Sequence, residues 1–174
     1  YLPITLIQFS RGCRFACDFC AISVFFDKKH YVRRSEEIIR EIRAQDRKFF
    51  FFVDDNFLSN HEAAKDFLRD LVPLKIRWVS QASIDMTSDP ELMDLLEASG
   101  CVGNVIGFES LDRRNVKGMR KAPNLVGSPR TDESWDDYHR QCQVLRKHHL
   151  QTWAAFTLGH DHDTIDSIRQ THQF

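Results

Sequence analysis

The chain reads as an α/β protein of parallel strands joined by crossover helices, making up most of a TIM-like barrel. Three observations predict this. Strand-like and helix-like segments alternate five times along the 174 residues, the pattern of repeated βαβ units. One strand candidate, residues 49–53, is four phenylalanines and a valine in a row, as expected where both faces of a parallel sheet are covered. The unusual polar residues follow directly on the strand-like segments, and in such barrels the carboxyl ends of the strands form the working face.

Taken in order, residues 4–9 form the first strand, and a loop with three cysteines follows. A helix begins near Ser35, a good N-cap, with Glu36 and Glu37 where the helix dipole favours anions. Ile38, Ile39 and Ile42 give it an apolar stripe at helical spacing. After the phenylalanine strand comes a helix over 60–72, then a third strand over 76–82. Asp89 and Pro90 open the next helix as N-cap and first-turn residue, and Gly100 closes it. The fourth strand is 102–108. The stretch 117–133 is rich in Pro, Gly, Ser and charge and is expected to be a long loop. Ser134 caps a helix to about residue 149, 152–158 is the fifth strand, and Thr164 starts a last helix.

Composition narrows the function classes. With 42% hydrophobic residues the chain is long enough for one domain, 1–174, with a sizeable core. A net charge of -1 argues against a general nucleic-acid binder, and no apolar run is long enough to cross a bilayer. Nothing addresses the chain outside the cytoplasm. It does not begin with Met and stops within a helical segment, so it is expected to be a piece of a longer protein, cut at both ends.

Cys13, Cys17 and Cys20 stand in the order C-x3-C-x2-C within Arg11-Gly12-Cys13-Arg14-Phe15-Ala16-Cys17-Asp18-Phe19-Cys20. Three thiolates in one short loop can hold three irons of a four-iron cluster and leave one iron open to a further ligand. The alternative is a structural zinc or iron-sulfur site in a non-catalytic interaction module. Structural zinc usually recruits four ligands in two pairs, and no second cysteine pair exists here. Five cysteines with no signal peptide argue against disulfides. Cys101 and Cys142 are expected to be small buried hydrophobes.

The cysteine spacing, with an aromatic residue before the last cysteine, resembles the signature of the radical SAM (S-adenosylmethionine) enzymes. Phe52-Val53-Asp54-Asp55-Asn56-Phe57, Trp78-Val79-Ser80-Gln81-Ala82-Ser83-Ile84-Asp85, Gly107-Phe108-Glu109-Ser110-Leu111 and Gly159-His160-Asp161-His162-Asp163-Thr164 resemble successive motifs of members often fused to a cobalamin-binding domain. The resemblance covers nearly the whole chain. It implies a partial (β/α)6 barrel with its final unit missing, a 4Fe-4S cluster on Cys13, Cys17 and Cys20, and SAM bound through its amino and carboxylate groups to the open iron. An electron from a donor such as flavodoxin or ferredoxin would cleave SAM to methionine and a 5'-deoxyadenosyl radical, which takes a hydrogen atom from a small-molecule substrate. Cobalamin, if used, would come through a domain outside this chain.

The same resemblance gives residues roles, each beside a plainer reading. Phe19 packs near the adenine, and the backbone of Asp54, Asp55 and Asn56 meets the SAM amino group. Glu109 meets the ribose or amino-acid portion, and Ser80 and Gln81 are weaker candidates for that pocket. The plainer reading of Asp54 and Asp55 is a turn whose side chains bond local backbone. For Glu109 it is a buried carboxylate paired with a neighbouring arginine. The His160-Asp161-His162-Asp163 stretch has metal-ligand chemistry, but alternate residues in a short loop point apart and no third ligand converges. A solvated loop is expected there. Lys28, Lys29, Arg33 and Arg34 read either as a solvated surface or as a hold on SAM or an acidic substrate.

Overall fold

The computed structural model describes residues 4–126 and 135–174. The first strand, β1 (Thr5–Ile7), runs through Gln8 and Phe9 into β2 (Ser10–Gly12). The cysteine loop and a short helix, α1 (Ala21–Phe25), connect β2 to β3 (His30–Val32), and β2 and β3 pair antiparallel. This small hairpin was not legible as a strand pattern. It closes the base of the cysteine loop at Gly12, whose φ of 82° and a 2.2 Å clash of any Cβ with the Lys29 carbonyl exclude a side chain.

Helix α2 (Ser35–Arg43) begins one residue earlier than expected. Arg34 is its N-cap and makes no side-chain cap bond, so Ser35 is not the cap. Arg34 instead pairs with Glu37 in the first turn. Ile38 and Ile42 bury the predicted stripe. In β4 (Phe49–Phe52) burial alternates: Phe50 and Phe52 are fully covered, whereas Phe49 and Phe51 are half-buried. The continuous run therefore marks one covered face and one partly open face. Each covered ring is worth about 1.5–3 kcal/mol.

Helix α3 (His61–Leu71) is capped by Asn60, whose side chain accepts from the Ala63 N–H, and a 3-10 turn leads to β5 (Arg77–Ala82). Asp89 caps α4 (Pro90–Ala98) by accepting from the Leu92 N–H, as expected. Beyond Gly100 comes β6 (Cys101–Glu109). The expected long loop is in part ordered structure: α5 (Arg113–Gly118) runs into it, and a 3-10 turn at Ala122–Leu125 lies inside it. Residues 127–133 of that loop and the expected Ser134 cap lie outside the described residues. Helix α6 (Trp135–Lys147) leads to β7 (Gln151–Phe156), and Thr164 caps α7 (Ile165–Gln173) in a capping box with Ser167.

The five strands β1-β4-β5-β6-β7 form one sheet in sequential order, all parallel. Even-numbered residues of β4, β5 and β6 (Phe50, Phe52, Trp78, Ser80, Ile106 and Phe108) are buried on one face. Odd-numbered Phe51, Gln81, Val105 and Gly107 are half-buried or exposed on the other. Phe57 packs on Phe9, Phe52 and Trp78 with ring centroids 5.0–5.2 Å apart. That contact nails the loop after β4 to the core and fixes the residues beside the cysteines. Among the described residues no helix is long and apolar enough to cross a membrane.

Candidate functional site

Cys13, Cys17 and Cys20 are free thiols, and all three line one cavity of about 220 Å³ at the carboxyl ends of the strands. Asp55, Asn56 and Ser83 line it from the loops after β4 and β5, Gln81 and Gly107 from the open face of the sheet, and Glu109 from the end of β6. A cavity of about 350 Å³ between α5 and α7 is larger but shares no lining residue with it and contains no cysteine.

The cysteine loop is held from several sides. Ser23 Oγ donates to the carbonyls of Cys17 and Cys20 at 3.2 and 2.8 Å. Asp55 accepts from the Gly12 N–H at 2.8 Å, and Ser59 Oγ accepts from the Arg14 N–H at 2.8 Å. Asn56 Nδ2 and Ser59 Oγ each donate to Cys13 Sγ at 3.7 Å. Burial pushes the Cys17 thiol up, and the charge of Lys121 opposes that rise. Among the described residues no three His, Cys, Asp or Glu side chains are gathered so as to hold a single metal ion.

Asp54 and Asp55, neighbours in sequence, part company in space. Asp54 is fully buried and is not among the cavity residues. It accepts from the Phe9 N–H at 3.1 Å and from both the N–H and the hydroxyl of Ser10. These partners lie more than forty residues away, so the plainer reading of a local turn gives way to a clamp between strands. Burial raises its carboxyl to about 6 against the lowering effect of those bonds. Ser80 likewise faces the covered side of β5, where it accepts from Asn104 Nδ2 at 2.8 Å. The period of two along a strand puts Gln81 in the cavity and Ser80 behind it. Phe19 is 56% exposed and lies outside the lining residues.

Glu109 sits in the left-handed region with φ 65°, and the β6–β7 register shifts between Gly107 and Glu109. The irregularity re-aims the end of β6. Thr157 holds it in place, donating its N–H to the Glu109 carbonyl at 2.9 Å and its hydroxyl to the carboxylate at 3.1 Å. Asn124 Nδ2 donates to the carbonyls of Gly107 and Phe108, both at 3.0 Å. The carboxylate pairs with Lys121, in place of the arginine that the plainer reading of Glu109 envisaged. Lys121 lies in the stretch expected to be loop, and nothing in its local sequence marks it as a site residue.

The remaining candidates lie elsewhere. Cys101 is buried, and burial pushes its thiol up to about 12. Cys142 is half-buried against the core. Asp163 accepts from the N–H groups of Gly159 and His160 at 2.8 and 3.0 Å and from Asn115 Nδ2 at 2.9 Å, so its oxygens organise the loop after β7. Arg33 pairs with Glu41, Arg34 with Glu37 and Lys29 with Asp27.

Comparison with known proteins gives this geometry its setting. A bacteriochlorophyllide d C-12(1)-methyltransferase of Chlorobaculum tepidum is 27% identical over all of this chain and 38% of its own length. An anaerobic magnesium-protoporphyrin IX monomethyl ester cyclase of Rubrivivax gelatinosus is 21% identical over 99% of this chain and 31% of its own. Among solved structures, the radical S-adenosylmethionine methyltransferase TsrM of Kitasatospora setae, determined with cobalamin and a 4Fe-4S cluster bound, superposes with a TM-score of 0.75. That match has 20% identity and covers 96% of this chain and 33% of TsrM, a likeness of fold. The chain thus spans about a third of the length of such relatives. Residues 7–174 match the Radical SAM superfamily, and this chain belongs to that superfamily.

Proposed function

We propose that residues 1–174 are the core domain of a radical SAM enzyme, in which Cys13, Cys17 and Cys20 hold a 4Fe-4S cluster and the adjoining cavity takes S-adenosylmethionine. The observation that carries this reading is the meeting of three free thiols with Asp55, Asn56, Gln81 and Glu109 around one cavity. Cys13, Cys17 and Cys20 would hold the cluster, which when bound would pass on an electron from a donor such as flavodoxin or ferredoxin in the cytoplasm for the reductive cleavage of SAM.

The chain's own residues prepare the place. Asn56 and Ser59 direct hydrogen bonds at Cys13, which tunes the electron density on that thiolate. The carboxylates of Asp55 and Glu109 are acceptors for the ammonium and hydroxyl groups of SAM. Gln81 binds the Asp54 carbonyl at 3.3 Å and so orients the loop backbone beside the cavity. Phe19 offers an exposed ring at the rim for the adenine. Asp54 contributes through the backbone it clamps, and Ser80 through the sheet beneath.

Methyl transfer or ring formation on a hydrophobic or tetrapyrrole-like small molecule is the reaction class that the names of the relatives support. The cobalamin in the TsrM structure supports cobalamin use through a domain outside this chain. Anaerobic reconstitution with iron and sulfide, followed by reduction with SAM present, tests the reading. Methionine and 5'-deoxyadenosine should accumulate, and neither should form when Cys13, Cys17 or Cys20 is replaced by Ala. Cleavage that survives loss of a cysteine would refute the ligand set.

A further inference from the structure

The segment after α5 touches the cysteine loop or its partners at three successive residues. The Met119 carbonyl accepts from the Asp18 N–H at 3.0 Å. Arg120 brings Nε to 3.5 Å from Asp18 Oδ2, a pair open to water and correspondingly weak. Lys121 Nζ donates to Glu109 Oε1 and lies 5.8 Å from the centroid of the Phe19 ring, within cation–π reach.

The Lys121 and Glu109 side chains are only 13% and 11% exposed, so this pair is poorly screened and each charge depends on the other. Room for it comes from Gly107, where a Cβ would stand 2.2 Å from Glu109 Oε1 and 2.5 Å from Lys121 Nζ. The missing side chain lets the ammonium reach under the cysteine loop and meet the carboxylate.

We infer that Lys121 is a positioning residue that ties the cysteine loop to the end of β6, setting Phe19 and Glu109 relative to each other before a ligand enters the cavity. The consequence for SAM rests on the function proposed above; the tie itself does not. One ammonium bridges the two side chains assigned to opposite portions of SAM, so its loss frees both.

The test compares wild type with Lys121→Met and with Lys121→Met/Glu109→Gln, which strands no buried charge should the single variant fold poorly. Hydrogen exchange of the metal-free protein reads the tie. Amides from Phe15 to Cys20 should exchange about tenfold faster in both variants, through loss of the cation–π contact between Lys121 and Phe19, while β4 and β5 keep wild-type protection. Electron paramagnetic resonance of reconstituted, reduced Lys121→Met, which keeps the Glu109 acceptor, reads the consequence: the signal without SAM stays as in wild type, and half-conversion to the SAM-bound signal needs about tenfold more SAM.

Wild-type exchange in the loop overturns the tie. Faster exchange with unchanged SAM dependence overturns the positioning role. A wild-type cluster that ignores SAM overturns the proposed function instead, and loop exchange still decides the tie.

Discussion

Asn56 donates a hydrogen bond from Nδ2 to the sulfur of Cys13 at 3.7 Å, joining the loop after β4 to the first cysteine of a loop 43 residues earlier. The same amide nitrogen lies 2.6 Å from Ser83 Oγ, so the loop after β5 braces it. Three connections of one sheet are thereby fixed around a single thiol. Hydrogen bonds to a cluster thiolate draw charge from it and raise the reduction potential. Asn56→Ala should therefore shift the reconstituted cluster to a more negative potential with iron content unchanged, as potentiometric titration would show. An unmoved potential would mean that the contact is structural only.

Ligand identity separates the five cysteines. Replacing Cys13, Cys17 or Cys20 by Ala should abolish the cluster. Cys101→Ala should leave iron and sulfide content intact and cost about 1–2 kcal/mol through the small cavity it opens in the core. Iron and sulfide analysis after reconstitution distinguishes the two groups, and cluster loss on Cys101→Ala would mean a misplaced ligand.

Gly107 is needed for what it lacks. Gly107→Ala places a methyl group 2.2 Å from Glu109 Oε1 and 2.5 Å from Lys121 Nζ, the ends of two flexible side chains, so it should part the pair at a cost of no more than about 1 kcal/mol, below that of overpacking a rigid core. Urea denaturation would measure this. A loss well above that would show that the Glu109–Lys121 pair cannot move aside.

Asp54 makes stability fall as pH rises. Its folded value of about 6 lies above the ordinary 3.8, so between those values the folded protein binds more protons than the unfolded chain and loses stability on titration upward. By linkage the loss from this group totals about 3 kcal/mol, about 2 kcal/mol of it between pH 4 and 6, and is complete by about pH 7. Asp54→Asn should remove that slope, while setting an amide donor against the Phe9 or Ser10 N–H at a cost of about 1–3 kcal/mol. Denaturation midpoints of both proteins from pH 4 to 7 provide the check; parallel profiles would contradict the assignment.

Much of this was legible in the sequence, for identifiable reasons. The three cysteines lie within eight residues, so their grouping is local and spacing reveals it. Asp89 was readable as a cap, and Thr164 and the region of Asn60 as helix starts, because an N-cap acts on residues two or three ahead; Ser35 was misread by one position. Contacts across the fold were not readable. The partners of Asp54 lie 44 and 45 residues away, and no local signal separates its clamp from a turn. Ser80 and Gln81 looked equivalent until strand parity assigned one to each face. Lys121, which pairs with Glu109, follows Arg120 at φ 53°, a conformation no arginine announces.

Electron paramagnetic resonance of the anaerobically reconstituted, reduced protein, with and without SAM, decides whether the cysteine cavity carries the proposed cluster with one iron open to SAM. A 4Fe-4S signal that shifts when SAM is added is expected. Zinc alone in the site, or a cluster signal indifferent to SAM, would overturn the proposal.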